Sequence, residues 1–263
     1  LPRLDEAQLR ARLAESDKQF VYLARQLTPR EVVAVNALGI TGIYFEQSEQ
    51  RRYPMGRAVA QVLGGVDVDG NGIAGVERFF NQRLTEDTTP LRLSIDVRVQ
   101  AVVRDELTKA QEMFRAIGGC GIIMDVRTGE ILAMVSLPDY DANLYRRATD
   151  DERFNRAVTG NYEPGSTFKL QTAAMALDYG TVRLWNEFDA SRPIRIGRFT
   201  ISDFEGKKRW LTFPEVLAYS SNIGAAHVAQ TVGAERQRAW MKNMGMLGRI
   251  PIELPEAALA RTR

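Results

Sequence analysis

The 263-residue chain is 44% hydrophobic and 26% charged, enough apolar material for a sizeable buried core and too much for a disordered chain. Lys and Arg number 35 against 33 Asp and Glu, a formal charge of +2, so the charge balance singles out no nucleic acid as a partner. A single cysteine, Cys120, excludes an internal disulfide and a multi-cysteine metal site, and no run approaches the ~20 apolar residues of a membrane-spanning helix.

The opening Leu1-Pro2-Arg3-Leu4-Asp5 carries no signal-peptide pattern, and the chain is expected to be soluble as it stands. A charged helical segment is expected around Asp5 to Leu27, followed by shorter apolar pieces. Asp67, Asp69, Asn71 and Gly72 are spaced like the start of a calcium loop. Position twelve, however, is Arg78 rather than an acid, so a turn rich in Asp, Asn and Gly is expected instead of a cation site. The polar run Glu86-Asp87-Thr88-Thr89-Pro90 marks a domain boundary, with residues 1–88 before it and 89–263 after it. Leu91 to Ile95 alternates like a strand, and Asp96 is placed to cap a long helix from Val97 to about Ala116. A hairpin then joins Gly119–Met124 to Ile131–Val135 across an Asp125–Gly129 turn, with Cys120 expected to be a buried structural thiol. Strands flanked by helices point to an α/β or α+β domain.

Pro164-Gly165 breaks the chain, and Ser166 opens an apolar run that ends near Gly180. So apolar a helix is expected to be buried. Ser166 and Lys169 are three residues apart, so on a helix they share a face and can make a nucleophile without histidine. Desolvation near an apolar helix lowers a lysine pKa toward the range of a general base, and the helix N-terminus directs N–H groups toward an oxyanion formed at Ser166. Alone, Ser-x-x-Lys is a short pattern that occurs often by chance and is better read as an N-capped helix with a snorkelling lysine. A second polar element, Ser220-Ser221-Asn222, follows a helix expected from Phe213 to about Tyr219 behind the capping box Thr212-Phe213-Pro214-Glu215; another helix is expected from Ile223 to about Val232. Such a junction can offer Ser220 and Asn222 to one cleft with the middle residue turned away. The sole histidine, His227, lies on that later apolar helix and reads as structural.

Together and in this order the two motifs resemble the penicillin-binding protein and serine β-lactamase superfamily. Arg25–Arg30, Arg52-Tyr53-Pro54-Met55-Gly56, Gly75-Val76-Glu77, Leu93–Gln100 and Tyr162–Lys169 look like a class B penicillin-binding protein of the cell-division (septal) type. The resemblance implies a serine β-lactamase/penicillin-binding transpeptidase fold at 89–263, incomplete at its C-terminal side, preceded by a mixed α+β pedestal (dimerisation-type, non-catalytic) domain at 1–88. It implies a D,D-transpeptidase that cross-links peptidoglycan stem peptides through a serine acyl-enzyme and is acylated by β-lactams. Carried over by position, Ser166 is the nucleophile and Lys169 its proton acceptor. Ser220 relays the proton to the leaving group, and Asn222 holds Lys169 and the substrate amide. No cofactor is expected. The implied partners are division-complex membrane proteins, including a polytopic glycan polymerase. The implied location is the bacterial inner membrane through a single-pass anchor outside these residues, with this region in the periplasm.

The superfamily's third motif, Lys-Thr-Gly or Lys-Ser-Gly, does not occur: no lysine is followed by that pair. By resemblance it lies well beyond Asn222, so the sequence is expected to stop short of it, which bears on whether residues 1–263 act alone. A β-lactamase, D,D-carboxypeptidase or β-lactam sensor shares both motifs, although the long region before residue 90 argues against a compact hydrolase. A non-catalytic assembly module of the division machinery remains the alternative from another class.

Overall fold

Polar side chains at Asp5, Thr28, Asp96, Thr149 and Ser221 each accept a hydrogen bond from the first turn of the helix that follows, so capping chemistry sets where these helices begin. The computed structural model describes residues 4–14 and 19–257. In chain order the elements are α1 (Glu6–Leu13), α2 (Pro29–Asn36), α3 (Ala60–Leu63), β1 (Gly65–Val66), β2 (Gly72–Ala74), α4 (Gly75–Phe79), α5 (Asn81–Glu86), α6 (Val97–Phe114), β3 (Gly119–Met124) and β4 (Ile131–Leu137). A 3-10 turn at Ala142–Arg147, α7 (Asp150–Arg153) and a second 3-10 turn at Gly165–Thr167 lead to α8 (Phe168–Asp178). Then come β5 (Glu187–Asp189), β6 (Ile194–Ile196), β7 (Phe199–Ile201), β8 (Trp210–Thr212), α9 (Phe213–Ala218), α10 (Asn222–Val232) and α11 (Ala234–Asn243). By packing, the described residues form two compact units, one running up to Thr159 with Ile252–Glu256 and the other comprising Gly160–Pro251 with Ala257.

In the first unit β3 and β4 pair antiparallel, with Cys120 opposite Ser136 and Gly121 opposite Val135. Helix α6 lies against this hairpin. Gln100 on α6 is 1% exposed and fully hydrogen-bonded. Its Nε2 donates to the carbonyls of Ala58 and Met134, both at 2.7 Å, and its Oε1 accepts from the Met134 N–H at 2.8 Å. Gln100 thus serves Met134 as a neighbouring strand would. Gln100→Leu leaves these backbone groups buried without partners and is expected to lower unfolding stability by about 3 kcal/mol; a wild-type midpoint in urea denaturation would contradict it. Val62, Val76, Met134, Val158 and Leu254 form the apolar core beside it. Asp139, nearly buried, is neutralised by Arg57 at 2.9 Å and Arg104 at 2.5 Å.

Several expectations change. The helix around Asp5 to Leu27 stops at Leu13; residues 15–18 lie outside the described residues, and 19–27 contain no helix. Helix α1 buries no side chain, so no packing extends it. Leu91–Ile95 is not a strand, although its alternation is real. Leu91, Leu93 and Ile95 pack into the core, while the backbone contacts are limited to the Ser94 hydroxyl on Ile131 O and the Asp96 N–H on Leu132 O. These residues share a core with Val62 and Val76, and α6 and the β3–β4 hairpin pack in one compact unit with the residues before the polar loop that follows α5. Cys120 is exposed rather than buried. The α-carbon of Gly121 faces Leu107 and Val103 of α6, so the two-residue period turns Cys120 to the opposite face. The Asp67–Asn71 segment is the expected turn, joining antiparallel β1 and β2, with the Asp67 carboxylate accepting from Asp69 N and Asn71 N.

In the second unit α8 packs on α10. Ala173, Met175 and Ala176 of α8 meet Val228 and Val232 of α10, with Phe213 and Val182. A further cluster joins Leu211, Val216 and Ile223. The helix after Ser166 is buried on one face only, since Leu170 and Leu177 are exposed. This corrects the expectation drawn from its composition: small Ala side chains let the core face approach α10 closely and leave the larger leucines outside.

Candidate active site

All four residues singled out by sequence lie in the second unit. Gly165 has φ +61°, a conformation that costs a side-chain-bearing residue and that glycine adopts freely. It turns the chain into the 3-10 turn holding Ser166, and the Thr167 hydroxyl donates to Pro164 O at 2.6 Å to close that turn. The α-helix proper begins two residues later than Ser166, at Phe168. The three-residue spacing still brings Lys169 Nζ to 3.2 Å from Ser166 Oγ.

The second motif is a helix-to-helix junction in which each residue has a different backbone duty. Ser220 follows the last turn of α9 at φ +52°, the left-handed position usually taken by glycine. The Ser221 N–H donates to Val216 O at 2.9 Å across it, closing a Schellman-type end. Ser221 then caps α10, its Oγ accepting from Gly224 N at 2.9 Å, and is 2% exposed. The middle residue is therefore turned into the protein, as expected. Asn222 is the first residue of α10. A serine in the left-handed region costs of order 1–3 kcal/mol, and such strain concentrates where a side chain must be aimed.

Here it is aimed at the first motif. Ser220 Oγ donates to Ser166 Oγ at 2.9 Å, while Lys169 Nζ donates to Ser220 Oγ at 2.9 Å and to the Ser220 carbonyl at 2.5 Å. Two hydroxyls and an amine thus form a closed triangle. Burial holds the Lys169 pKa below its ordinary value, opposed by the negative charge of Asp203. A neutral amine in this position can take a proton from Ser166, and Ser220 offers a path by which that proton moves on. Asn222 does not meet Lys169: its side-chain N–H donates to Ser202 O at 2.9 Å, and the partner expected for it, the lysine, is bonded to Ser220 instead.

Asp203, in the segment after β7, escaped the sequence. Its Oδ2 accepts from Ser221 Oγ at 2.8 Å, and its Oδ1 accepts from the N–H groups of Asn222 at 2.5 Å and Ile223 at 3.0 Å. Nothing local in Ile201-Ser202-Asp203-Phe204 announces it; only the fold brings it to a helix start 18 residues away. His227 is half-buried on α10. Among the described residues no helix is long and apolar enough to cross a membrane.

Comparison with known proteins shows the family. Residues 119–260 match the penicillin binding protein transpeptidase domain family. The chain is 45% identical over 236 residues to a probable peptidoglycan D,D-transpeptidase FtsI of Caulobacter vibrioides, an alignment covering 88% of this chain and 40% of the relative. Among solved structures, penicillin binding protein 3 of Mycobacterium tuberculosis in its apo form is similar at a TM-score of 0.72 and 27% identity, covering 80% of this chain and 50% of that one. The same protein complexed with aztreonam gives a TM-score of 0.72 over 80% of this chain and 49% of that one, also at 27% identity. The chain therefore spans less than half the length of the Caulobacter relative.

Proposed function

Because the chain belongs to the penicillin-binding protein transpeptidase family, of the class B, FtsI-like type, we propose that it carries the acylating centre of a serine D,D-transpeptidase that cross-links peptidoglycan stem peptides during septal wall synthesis. The observation that carries this reading is the Ser166–Lys169–Ser220 triangle. Ser166 Oγ attacks the carbonyl of the donor's penultimate D-alanine as Lys169 accepts the hydroxyl proton. The peptide C–N bond breaks, the terminal D-alanine leaves with a proton delivered through Ser220, and an ester to Ser166 remains. An acceptor amine then attacks that ester, gives up a proton to the same base, and releases Ser166 as the cross-linking amide forms. Asn222, on the rim of the junction, is assigned to the substrate amide. A β-lactam would acylate the same oxygen, consistent with the aztreonam complex of the solved relative.

The remaining assignments rest on the same family membership. Residues 1–88 are a pedestal and 89–263 belong to the transpeptidase domain. The protein acts on the periplasmic side of the inner membrane, held by an anchor outside these residues, with division-complex membrane proteins, a polytopic glycan polymerase among them, as partners. The Lys-Thr-Gly or Lys-Ser-Gly motif that would hold the donor carboxylate is not in this sequence. The test is a reaction of the protein, as its gene encodes it, with a pentapeptide donor and a stem-peptide acceptor, followed by mass spectrometry. Cross-linked product with one D-alanine released per link is expected. D-Alanine release with hydrolysed donor alone would make it a carboxypeptidase, and no release would favour an assembly module.

A further inference from the structure

We propose that Asp203 is a positioning residue of the acylation reaction, holding the Ser220–Asn222 junction in the one conformation that presents Ser220 to Lys169 and Ser166. The inference rests on the nucleophile assignment above and adds a residue that neither sequence motif contains. Three donors converge on this one carboxylate: the Ser221 hydroxyl and the backbone N–H groups of Asn222 and Ile223. The adjacent Ser202 carbonyl takes the Asn222 side chain, so two consecutive residues grip the junction from Ser221 to Ile223.

This grip opposes a conformational preference. Ser220 occupies the left-handed region, from which a serine would relax if Ser221 and Asn222 were free to move. Relaxation would carry away both contacts of Ser220 with Lys169, the 2.9 Å hydroxyl contact and the 2.5 Å carbonyl contact. The carboxylate also complements the N-terminus of α10, where the unpaired N–H groups and the helix dipole favour negative charge. Burial of the Ser221 hydroxyl makes its anchoring costly to lose.

Asp203 has a second route to the reaction. The groups within hydrogen-bond reach of Lys169 Nζ are the Ser166 hydroxyl from its own turn and the Ser220 hydroxyl and carbonyl from the α9–α10 junction, and the Asp203 charge acts on it from the segment after β7. Asp203 favours the protonated lysine, against the burial that disfavours it. The isosteric Asp203→Asn keeps an acceptor but removes the charge, so the lysine deprotonates at lower pH.

The experiment measures acylation by a fluorescent penicillin across pH, with thermal unfolding alongside, in the protein as its gene encodes it. Asp203→Asn is expected to lower the plateau rate about ten- to a hundredfold and to move the acidic limb to lower pH, because the charge that favours the protonated lysine is gone. An unchanged rate and limb would overturn the assignment. So would a lower plateau with an unmoved limb, which would reduce Asp203 to a support of the fold. Should Asp203→Asn not fold, Asp203→Glu keeps the charge while displacing the oxygens. A reduced plateau at a near-native thermal midpoint supports the assignment, and a wild-type plateau overturns it. Wild-type protein labelled at a residue other than Ser166, or not at all, overturns the nucleophile reading itself and this inference with it; labelling at Ser166 with an indifferent Asp203→Asn overturns only the inference.

Discussion

Ser166→Ala is expected to abolish covalent labelling by a fluorescent penicillin, with acylation falling by about 10⁴-fold or more while the protein stays folded. The loss follows from the triangle: Ser166 is exposed, and the other two members touch each other without it, Lys169 Nζ lying 2.9 Å from Ser220 Oγ. Removing one exposed oxygen therefore strands no buried group, and the thermal midpoint should move little. Ser220 Oγ is only 2.9 Å from Ser166 Oγ, so a second hydroxyl stands ready beside the first. Peptide mapping of the labelled wild type decides between them. Adduct on Ser166 is expected, and residual labelling of Ser166→Ala at wild-type rate would remove Ser166 from the role of nucleophile.

Lys169→Ala should cost about 10²- to 10⁴-fold in acylation, the usual contribution of a positioned general base. The pH dependence is the sharper readout. Only the neutral amine accepts a proton, so the wild-type rate should climb with pH until the Lys169 pKa is passed and then level off. Burial lowers that pKa from its ordinary value, placing the climb at lower pH than a solvated lysine would give. In Lys169→Ala the climb should vanish. Lys169→Arg should be nearly as slow as the alanine variant despite keeping the charge, because a guanidinium stays protonated at any working pH. A Lys169→Ala variant that acylates at the wild-type rate, or retains the same acidic limb, would show that another group takes the proton.

Much of the local structure was legible because it is decided by neighbours in sequence. Asp96 caps α6 through the Arg98 N–H, and the apolar runs on either side of Asp125–Gly129 pair as the expected hairpin. Thr212 and Glu215 meet as a capping box, with the Thr212 N–H donating to Glu215 at 2.9 Å. The pairing of Ser166 with Lys169 belongs to the same class, since helical spacing alone brings residues three apart together. The failures share a cause as well. Leu91–Ile95 alternates correctly but lacks a ladder partner, and Cys120 faces away from α6 because Gly121 is packed against it. Alternation and composition state which residues prefer burial; whether a partner surface exists is decided by distant parts of the chain.

By itself, then, the sequence determined the two motifs, their helices and the family, because caps, turns and helical spacing are short-range and chemically explicit. Tertiary structure alone decided that Ser220 enters the left-handed region and bonds to Lys169, that Asn222 turns to Ser202 instead, and that Asp203 gathers the junction's donors. Those contacts join residues 18 to 51 positions apart. Their closing cost is met by the packing of α8 on α10 and of α9 on β8, and no local pattern records that balance.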